Sequence, residues 1–134
     1  MKKLFSYQQE IVDACDKSNA LFMKMGTGKT ITSLKIAEKW ECEKLLVVCL
    51  KSKIQDWKEE ILNETYFKED DFMVINFESV WRTVKAIEFC DSKTMIIVDE
   101  SHKIKNPKSK VSQYMRYLGN LTKYKLVLTG TPQN

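Results

Sequence analysis

Short apolar runs rich in β-branched residues alternate along the chain with stretches of helical periodicity. The runs are apolar at successive positions, which is typical of strands buried on both faces of a sheet. Each run is four or five residues long, within the ordinary length of a strand. They predict strands at residues 20–23, 45–49, 72–76, 95–98 and 125–129.

The stretches between these runs have apolar residues at helical spacing. Ser6 and Gln9 form a capping box for a helix over 6–16. Asn106-Pro107 predicts the start of a later helix, and Gly119 predicts its C-terminal cap. The predicted apolar faces are Ile31, Leu34, Ala37 and Trp40; Ile54, Trp57 and Ile61; Val80, Val84 and Ile87; and Val111, Tyr114, Met115 and Leu118. Strands alternating with helices predict an α/β fold with a parallel sheet and helices on both faces.

Length and composition place the chain among globular proteins. Its 134 residues make one domain, with 43% hydrophobic and 30% charged residues. The longest apolar run, 45–50, is far shorter than the ~18 residues of a membrane span. Polar residues follow Met1-Lys2-Lys3 too soon for a signal peptide. We therefore expect a soluble intracellular protein, cytoplasmic or nuclear, with no membrane partner.

The cysteines indicate neither a zinc site nor a disulfide framework. The sequence has four cysteines, at 15, 42, 49 and 90, without a C-x-x-C pair, and His102 is its one histidine. We expect buried thiols in a reducing compartment.

Positive charge is concentrated at the end of the chain. Residues 51–100 contain 7 Lys and Arg against 12 Asp and Glu, whereas 101–134 contain seven basic residues and no acid. Four of the lysines fall within eight residues: Lys103, Lys105, Lys108 and Lys110. This block indicates either a polyanion partner or a solvated lysine face, and charge alone does not separate the two.

A glycine-containing segment follows the first predicted strand and opens a helix, as a phosphate-binding loop does. In such a loop, backbone N–H groups and the helix N-terminus face phosphate oxygens. The Lys29 ammonium would reach the β- and γ-phosphates of ATP, and the Thr30 hydroxyl would ligate Mg²⁺. The full pattern has a glycine where this chain has Met23, and the alternative is a chance Gly-Lys-Thr turn. The segment is Met25, Gly26, Thr27, Gly28, Lys29 and Thr30.

Two carboxylates, Asp99 and Glu100, end the strand predicted at 95–98. Ligands of open α/β sheets bind at the carboxyl ends of strands. Asp99 would hold hydrated Mg²⁺, and Glu100 would polarise the attacking water. A solvated turn is the alternative, but the pairing with the loop at 25–30 favours a nucleoside-triphosphatase site.

Taken together, these motifs resemble the first RecA-like lobe of a superfamily 2 helicase, and within it the SWI/SNF-type DNA translocases. The resemblance extends over nearly the whole chain. It comprises the Tyr-Gln element at 7–8, the phosphate loop, the segment 46–54 with Trp57, the segment 75–79, Asp-Glu-Ser-His at 99–102 and Thr-Gly-Thr-Pro at 129–132. The family commonly lacks the first glycine of the loop, and it usually has proline where this chain has Leu50.

The resemblance implies roles for further residues. Gln8 would read adenine, and His102 would link the hydrolysis site to the terminal motif at Thr129, Gly130 and Thr131. Backbone contacts to nucleic acid would come from Lys51, Ser52 and Lys53, together with the lysine block. For Trp57, a core position is favoured over the flank of a DNA groove, and Trp40 and Trp81 are assigned no chemistry.

The resemblance also implies a second RecA-like lobe, which supplies an arginine finger and half of the DNA track. We expect residues 1–134 to be a single ATP-binding lobe of an ATPase that moves along double-stranded DNA. Alone, it would hydrolyse ATP very slowly, because neither Arg82 nor Arg116 has the position of a finger. The alternatives are an unwinding helicase or restriction-type translocase, and a freestanding adaptor lobe that binds nucleotide or DNA without turnover.

Overall fold

The structure, a computed structural model, describes residues 18–22, 29–99 and 108–129, with side chains over 30–99 and 108–128. In this part of the chain five strands form one parallel sheet in the order β1-β5-β4-β2-β3. The strands are β1 (Ser18–Phe22), β2 (Lys44–Cys49), β3 (Phe72–Asn76), β4 (Thr94–Val98) and β5 (Tyr124–Thr129).

Helices connect the strands, as parallel pairing requires. Short 3₁₀ turns at Lys51–Lys53 and Glu69–Asp71 precede the helix that begins at Ile54 and strand β3. The helices are α1 (Lys29–Lys39), α2 (Ile54–Glu64), α3 (Phe77–Val80), α4 (Lys85–Phe89) and α5 (Lys110–Gly119). Among the described residues, no helix is long and apolar enough to cross a membrane.

Each face of the sheet is buried under its own helices. Successive strand residues point to opposite faces, so Leu45 and Val47 pack under α1 and α2, while Leu46 and Val48 pack under α3, α4 and α5. The central strand β4 is buried along its whole length. The predicted α/β fold, with its parallel sheet and helices on both faces, is therefore confirmed.

All five predicted strands are present, and β1 begins two residues before its predicted start. The helices predicted around Leu34 and around Ile61 are also confirmed as α1 and α2. The helix predicted at 6–16 lies outside the described residues.

The single helix predicted from Val80, Val84 and Ile87 is wrong. The chain forms two short helices, and Val84 between them is 63% exposed. The Thr83 hydroxyl accepts a hydrogen bond from the Lys85 N–H at 3.2 Å. This local bond offers the backbone an alternative to a continuous helix.

The C-terminal end of α5 differs from the prediction, whereas the start predicted at Asn106-Pro107 lies outside the described residues. Within them the helix begins at Lys110, where the Ser109 hydroxyl accepts the Ser112 N–H at 3.2 Å. Gly119 is the last helical residue, and Asn120 follows it in a right-handed conformation. Ser109 thus supplies a side-chain cap that was not predicted.

Helix α1 ends in a Schellman motif without a glycine. The Cys42 N–H donates to the Ala37 carbonyl at 3.3 Å, and the Glu41 N–H donates to the Glu38 carbonyl at 3.0 Å. Glu41 has a φ of 57°, the one positive φ among non-glycine residues in the described ranges. A side chain in this conformation costs about 1–2 kcal/mol.

We expect Glu41→Gly to stabilise the fold by roughly 0.5 kcal/mol, since relief of the left-handed strain exceeds the entropy that glycine adds to the unfolded chain. The free energy of unfolding in urea measures this. Lys39→Gly, two residues earlier in the helix, should instead destabilise by about 1 kcal/mol. A loss of stability in Glu41→Gly as large as that in Lys39→Gly would contradict the inference that the backbone of Glu41 is strained.

The described cysteines Cys42, Cys49 and Cys90 are free and buried, as the sequence predicted. Burial raises the pKa of the Cys42 and Cys49 thiols to about 12, with a smaller contribution from Asp99 at Cys49, and burial raises the pKa of Cys90 to about 11.

Because the thiolate is the nucleophile, these thiols should resist alkylation. At pH 8 a rise in pKa from 9 to about 12 lowers the thiolate fraction about a thousandfold. Iodoacetamide labelling mapped by mass spectrometry should modify Cys42 and Cys49 at least about a hundredfold faster in urea than in buffer. Equal rates in the two solvents would show that the thiols are accessible in the fold.

Candidate nucleotide site and adjoining basic surface

The strands place three segments of predicted chemistry side by side. Phe22 of β1 pairs with Thr129 of β5, and Val127 of β5 pairs with Val98 of β4. Because all three strands are parallel, the segments that follow them leave the sheet at the same edge. This carboxyl edge therefore brings together the ends of β1, β5 and β4, with Asp99 directly after β4.

Helix α1 begins directly after the loop segment, at Lys29. Thr30 is in its first turn and is partly buried, and its carbonyl accepts the Ser33 hydroxyl at 2.8 Å. The first N–H groups of a helix have no intrahelical partner, and they form the positive end of its dipole. The start of α1 thus has the orientation that a phosphate-binding loop requires.

Asp99 follows β4 and is only 3% exposed. Its N–H donates to the Val48 carbonyl at 2.8 Å, which extends the β4–β2 pairing by one residue. Its Oδ2 accepts a hydrogen bond from the indole Nε1 of Trp57 at 2.9 Å. The carboxylate is therefore held both by its backbone and by its side chain.

The oxygen donors fit a magnesium ion better than a transition metal. Asp99 offers a carboxylate and Thr30 a hydroxyl, and Mg²⁺ is commonly bound by one or two such groups together with substrate phosphates and waters. In the described ranges, no group of three His, Cys, Asp or Glu side chains could hold a metal by itself.

Trp57 is 2% exposed, which confirms its predicted place in the core. Its bond to Asp99 was not predicted. The sequence did offer an indication of this bond, because a tryptophan predicted to lie in the core needs an acceptor for its indole N–H. Donor and acceptor are 42 positions apart in the sequence, so no local pattern reveals the pairing.

A second group of predicted residues meets at the ends of β2 and β3. Lys51 and Val111 line one cavity of about 240 Å³, so the turn after β2 and the start of α5 are neighbours. The Lys110 ammonium lies 5.3 Å from the centre of the Trp81 ring, and the Arg82 guanidinium lies 4.8 Å from it. We call Lys51, Trp81, Arg82 and Lys110 the basic surface.

Neither Trp81 nor Arg82 was predicted to have a role, although a tryptophan followed by arginine is a recognisable cation–π pair. Glu78 also lines the cavity and adds a negative charge. Ser52, Lys53 and Lys108 are exposed beside these elements or at their ends. Leu50 has φ −70° and ψ 146°, the conformation that proline would impose where this chain has leucine.

The remaining predicted site residues lie outside the described part of the chain. They are Gln8, Met25, Gly26, Thr27, Gly28, Glu100, His102, Lys103, Lys105, Gly130 and Thr131. Lys29 and Thr129 are described by their backbone alone.

Among curated proteins, the chain is 26% identical over 140 residues to YqhH, an uncharacterized ATP-dependent helicase of Bacillus subtilis, covering 92% of this chain and 25% of the relative. It is 25% identical over 156 residues to a Caenorhabditis elegans homolog of SWI/SNF-related matrix-associated actin-dependent regulator of chromatin subfamily A-like protein 1, covering 98% of this chain and 22% of the relative. The chain therefore spans about a quarter of the length of these curated relatives.

Solved structures show the same fold. The Sulfolobus solfataricus SWI2/SNF2 ATPase core, solved in complex with dsDNA, superimposes with a TM-score of 0.83 at 25% identity, covering 98% of this chain and 32% of that one. The Pyrococcus furiosus Hef helicase domain superimposes with a TM-score of 0.76 at 18% identity, covering 95% of this chain and 32% of that one.

Residues 59–134, more than half of the chain, match the family profile of the SNF2-related domain. The match includes Asp99 and the terminal Thr-Gly-Thr-Pro, two of the motifs on which the resemblance rested. The match shows that this chain belongs to the SNF2-related domain family.

Proposed function

We propose that this chain is the ATP-binding lobe of a DNA-dependent ATPase that moves along double-stranded DNA. The observation that carries the proposal is the buried carboxylate of Asp99, which follows β4 at the carboxyl edge where β1 also ends, before α1. A helix N-terminus and a buried carboxylate after strands of one sheet edge support a phosphate site with a bound metal ion. ATP-dependent activity in the name of the Bacillus subtilis relative supports the same assignment.

Each residue has a defined task in this proposal. Lys29 contacts the β- and γ-phosphates, Thr30 and Asp99 hold Mg²⁺, and Glu100 orients the attacking water. Gln8 contacts adenine. Magnesium, when bound, neutralises charge on the phosphate oxygens.

The basic surface is the proposed contact for duplex DNA. Lysines and arginines bind phosphates without reading sequence. Lys51 and Trp81 line the cavity at the carboxyl edge, and Arg82 and Lys110 lie over the Trp81 ring. The solved Sulfolobus solfataricus relative is in complex with dsDNA, which supports this partner. The predicted lysines at 103 and 105 would extend the same surface.

Full activity requires a second RecA-like lobe in this proposal. Phosphoryl transfer is accelerated by about 10³–10⁵ when a cation from outside the loop meets the γ-phosphate. In the described part of the chain, Arg82 lies over the Trp81 ring and Arg116 lies beside Gly119 and Asn120, away from α1. The second lobe would supply this cation, and residues 1–134 alone would turn over very slowly.

Lys29→Ala should weaken Mg-ATP binding by about 2–4 kcal/mol, because the phosphates would be deprived of a charge-assisted hydrogen bond. Isothermal titration calorimetry of residues 1–134 measures this. Lys39→Ala, about 15 Å away at the other end of α1, is the matched control and should bind like the unaltered chain. Equal affinity of Lys29→Ala and the unaltered chain would refute the assignment.

Replacing Lys51 and Lys110 together by Gln should flatten the slope of log affinity for duplex DNA against log salt. The expected change is about 0.9 for each DNA phosphate that the variant no longer neutralises, so about two at most. The control doublet replaces Lys93 and Lys123, which are exposed and precede β4 and β5 at the opposite edge. Fluorescence anisotropy at a series of salt concentrations provides the slopes. The same change of slope in both doublets would show that net charge, and not this surface, binds DNA.

A further inference from the structure

We infer that Trp57 is a positioning residue for Asp99, which holds its carboxylate in the orientation that Mg²⁺ binding requires. This inference rests on the proposed function, since it gives the carboxylate of Asp99 to a nucleotide-bound metal. Its basis is the buried hydrogen bond of 2.9 Å from the Trp57 Nε1 to the Asp99 Oδ2.

The donor is fixed by packing. Trp57 lies in the first turn of α2, and its ring belongs to the same core cluster as Val47, Cys49 and Ile61. Close packing holds such a ring in one rotamer, so the direction of its N–H is set by the core. A carboxylate that accepts this N–H loses the free rotation of a surface aspartate.

The backbone of Asp99, whose carboxylate is the acceptor, is also held in place. The Asp99 N–H pairs with Val48 of the adjacent strand, so backbone and indole together determine where the second carboxylate oxygen points. Groups that orient a metal ligand typically change metal affinity about 10- to 100-fold when removed. A purely structural tryptophan would instead change stability, with little effect on the metal.

The first experiment compares Trp57→Phe with Trp40→Phe in residues 1–134. Both residues are buried in the same core cluster, but Trp40 packs against the Tyr124 ring. Calorimetry measures ATP binding with Mg²⁺ and with EDTA. We expect Trp57→Phe to weaken Mg-ATP binding about tenfold and EDTA-ATP binding less than about twofold, and Trp40→Phe to change both less than about twofold.

The second experiment keeps the tryptophan and follows its N–H by ¹H–¹⁵N NMR. The chain has three tryptophans, and the indole signal absent from Trp57→Phe identifies Trp57. If that variant does not fold, the indole signals absent from Trp40→Phe and from Trp81→Phe identify the Trp57 signal by elimination. Asp99→Asn should shift the Trp57 signal and leave that of Trp40 in place, and adding Mg²⁺ to the ATP-bound chain should shift the Trp57 signal most.

The outcomes separate the two proposals. Mg-ATP affinity unchanged in Trp57→Phe, or a Trp57 signal that ignores both Asp99→Asn and Mg²⁺, would overturn the positioning role while leaving ATP binding intact. A loss of EDTA-ATP binding equal to that of Mg-ATP binding would make Trp57 merely structural. An unaltered chain that binds no ATP would overturn the proposed function itself.

Discussion

Parallel pairing of all the described strands is the constraint on which the site depends. Each strand must return to the same edge through a helix on one face of the sheet, so every segment that follows a strand emerges at the carboxyl edge. The insertion of β5 between β1 and β4 then makes neighbours of segments that lie far apart along the chain. The carboxyl ends of β1, β5 and β4, which are far apart in sequence, therefore lie side by side.

The hydrogen bond between Trp57 and Asp99 joins the helix that follows β2 to the end of β4. Trp57 lies one helical turn beyond Lys53, in the helix that follows the exposed turn Lys51–Lys53, whereas Asp99 ends the central strand. The basic turn and the buried carboxylate are therefore connected through one rigid side chain and one turn of helix. The sequence places these residues in separate motifs, but the fold makes them parts of one structural unit.

The features that could be predicted well are those set by local pattern. Apolar runs indicated all five strands, and helical periodicity indicated α1 and α2. Burial of an element on one or two faces produces a regular pattern of apolar residues in the sequence. The features that were missed depend on tertiary contact or on a competing polar side chain. Thr83 interrupts the helix expected after Val80, and Ser109 gives α5 a cap that was not predicted. Trp57 and Asp99 are 42 positions apart, and no local sequence pattern indicates the hydrogen bond between them.

The distribution of charge along the sequence also differs from its distribution on the folded surface. Counted along the chain, residues 51–100 are acidic, yet this segment supplies Lys51 and Arg82 to the basic surface. At the opposite edge, cations are paired: Lys44 meets Asp91 at 3.0 Å, and Lys93 meets Glu43 at 3.0 Å. Among the described residues that line the cavity at the carboxyl edge, Glu78 is the one acid and Lys51 the one base, and Arg82 and Lys110 lie over the adjoining Trp81 ring. A polyanion approaching the sheet therefore meets paired charges at one edge and a cationic surface at the other, and the cationic edge is the one that holds Asp99.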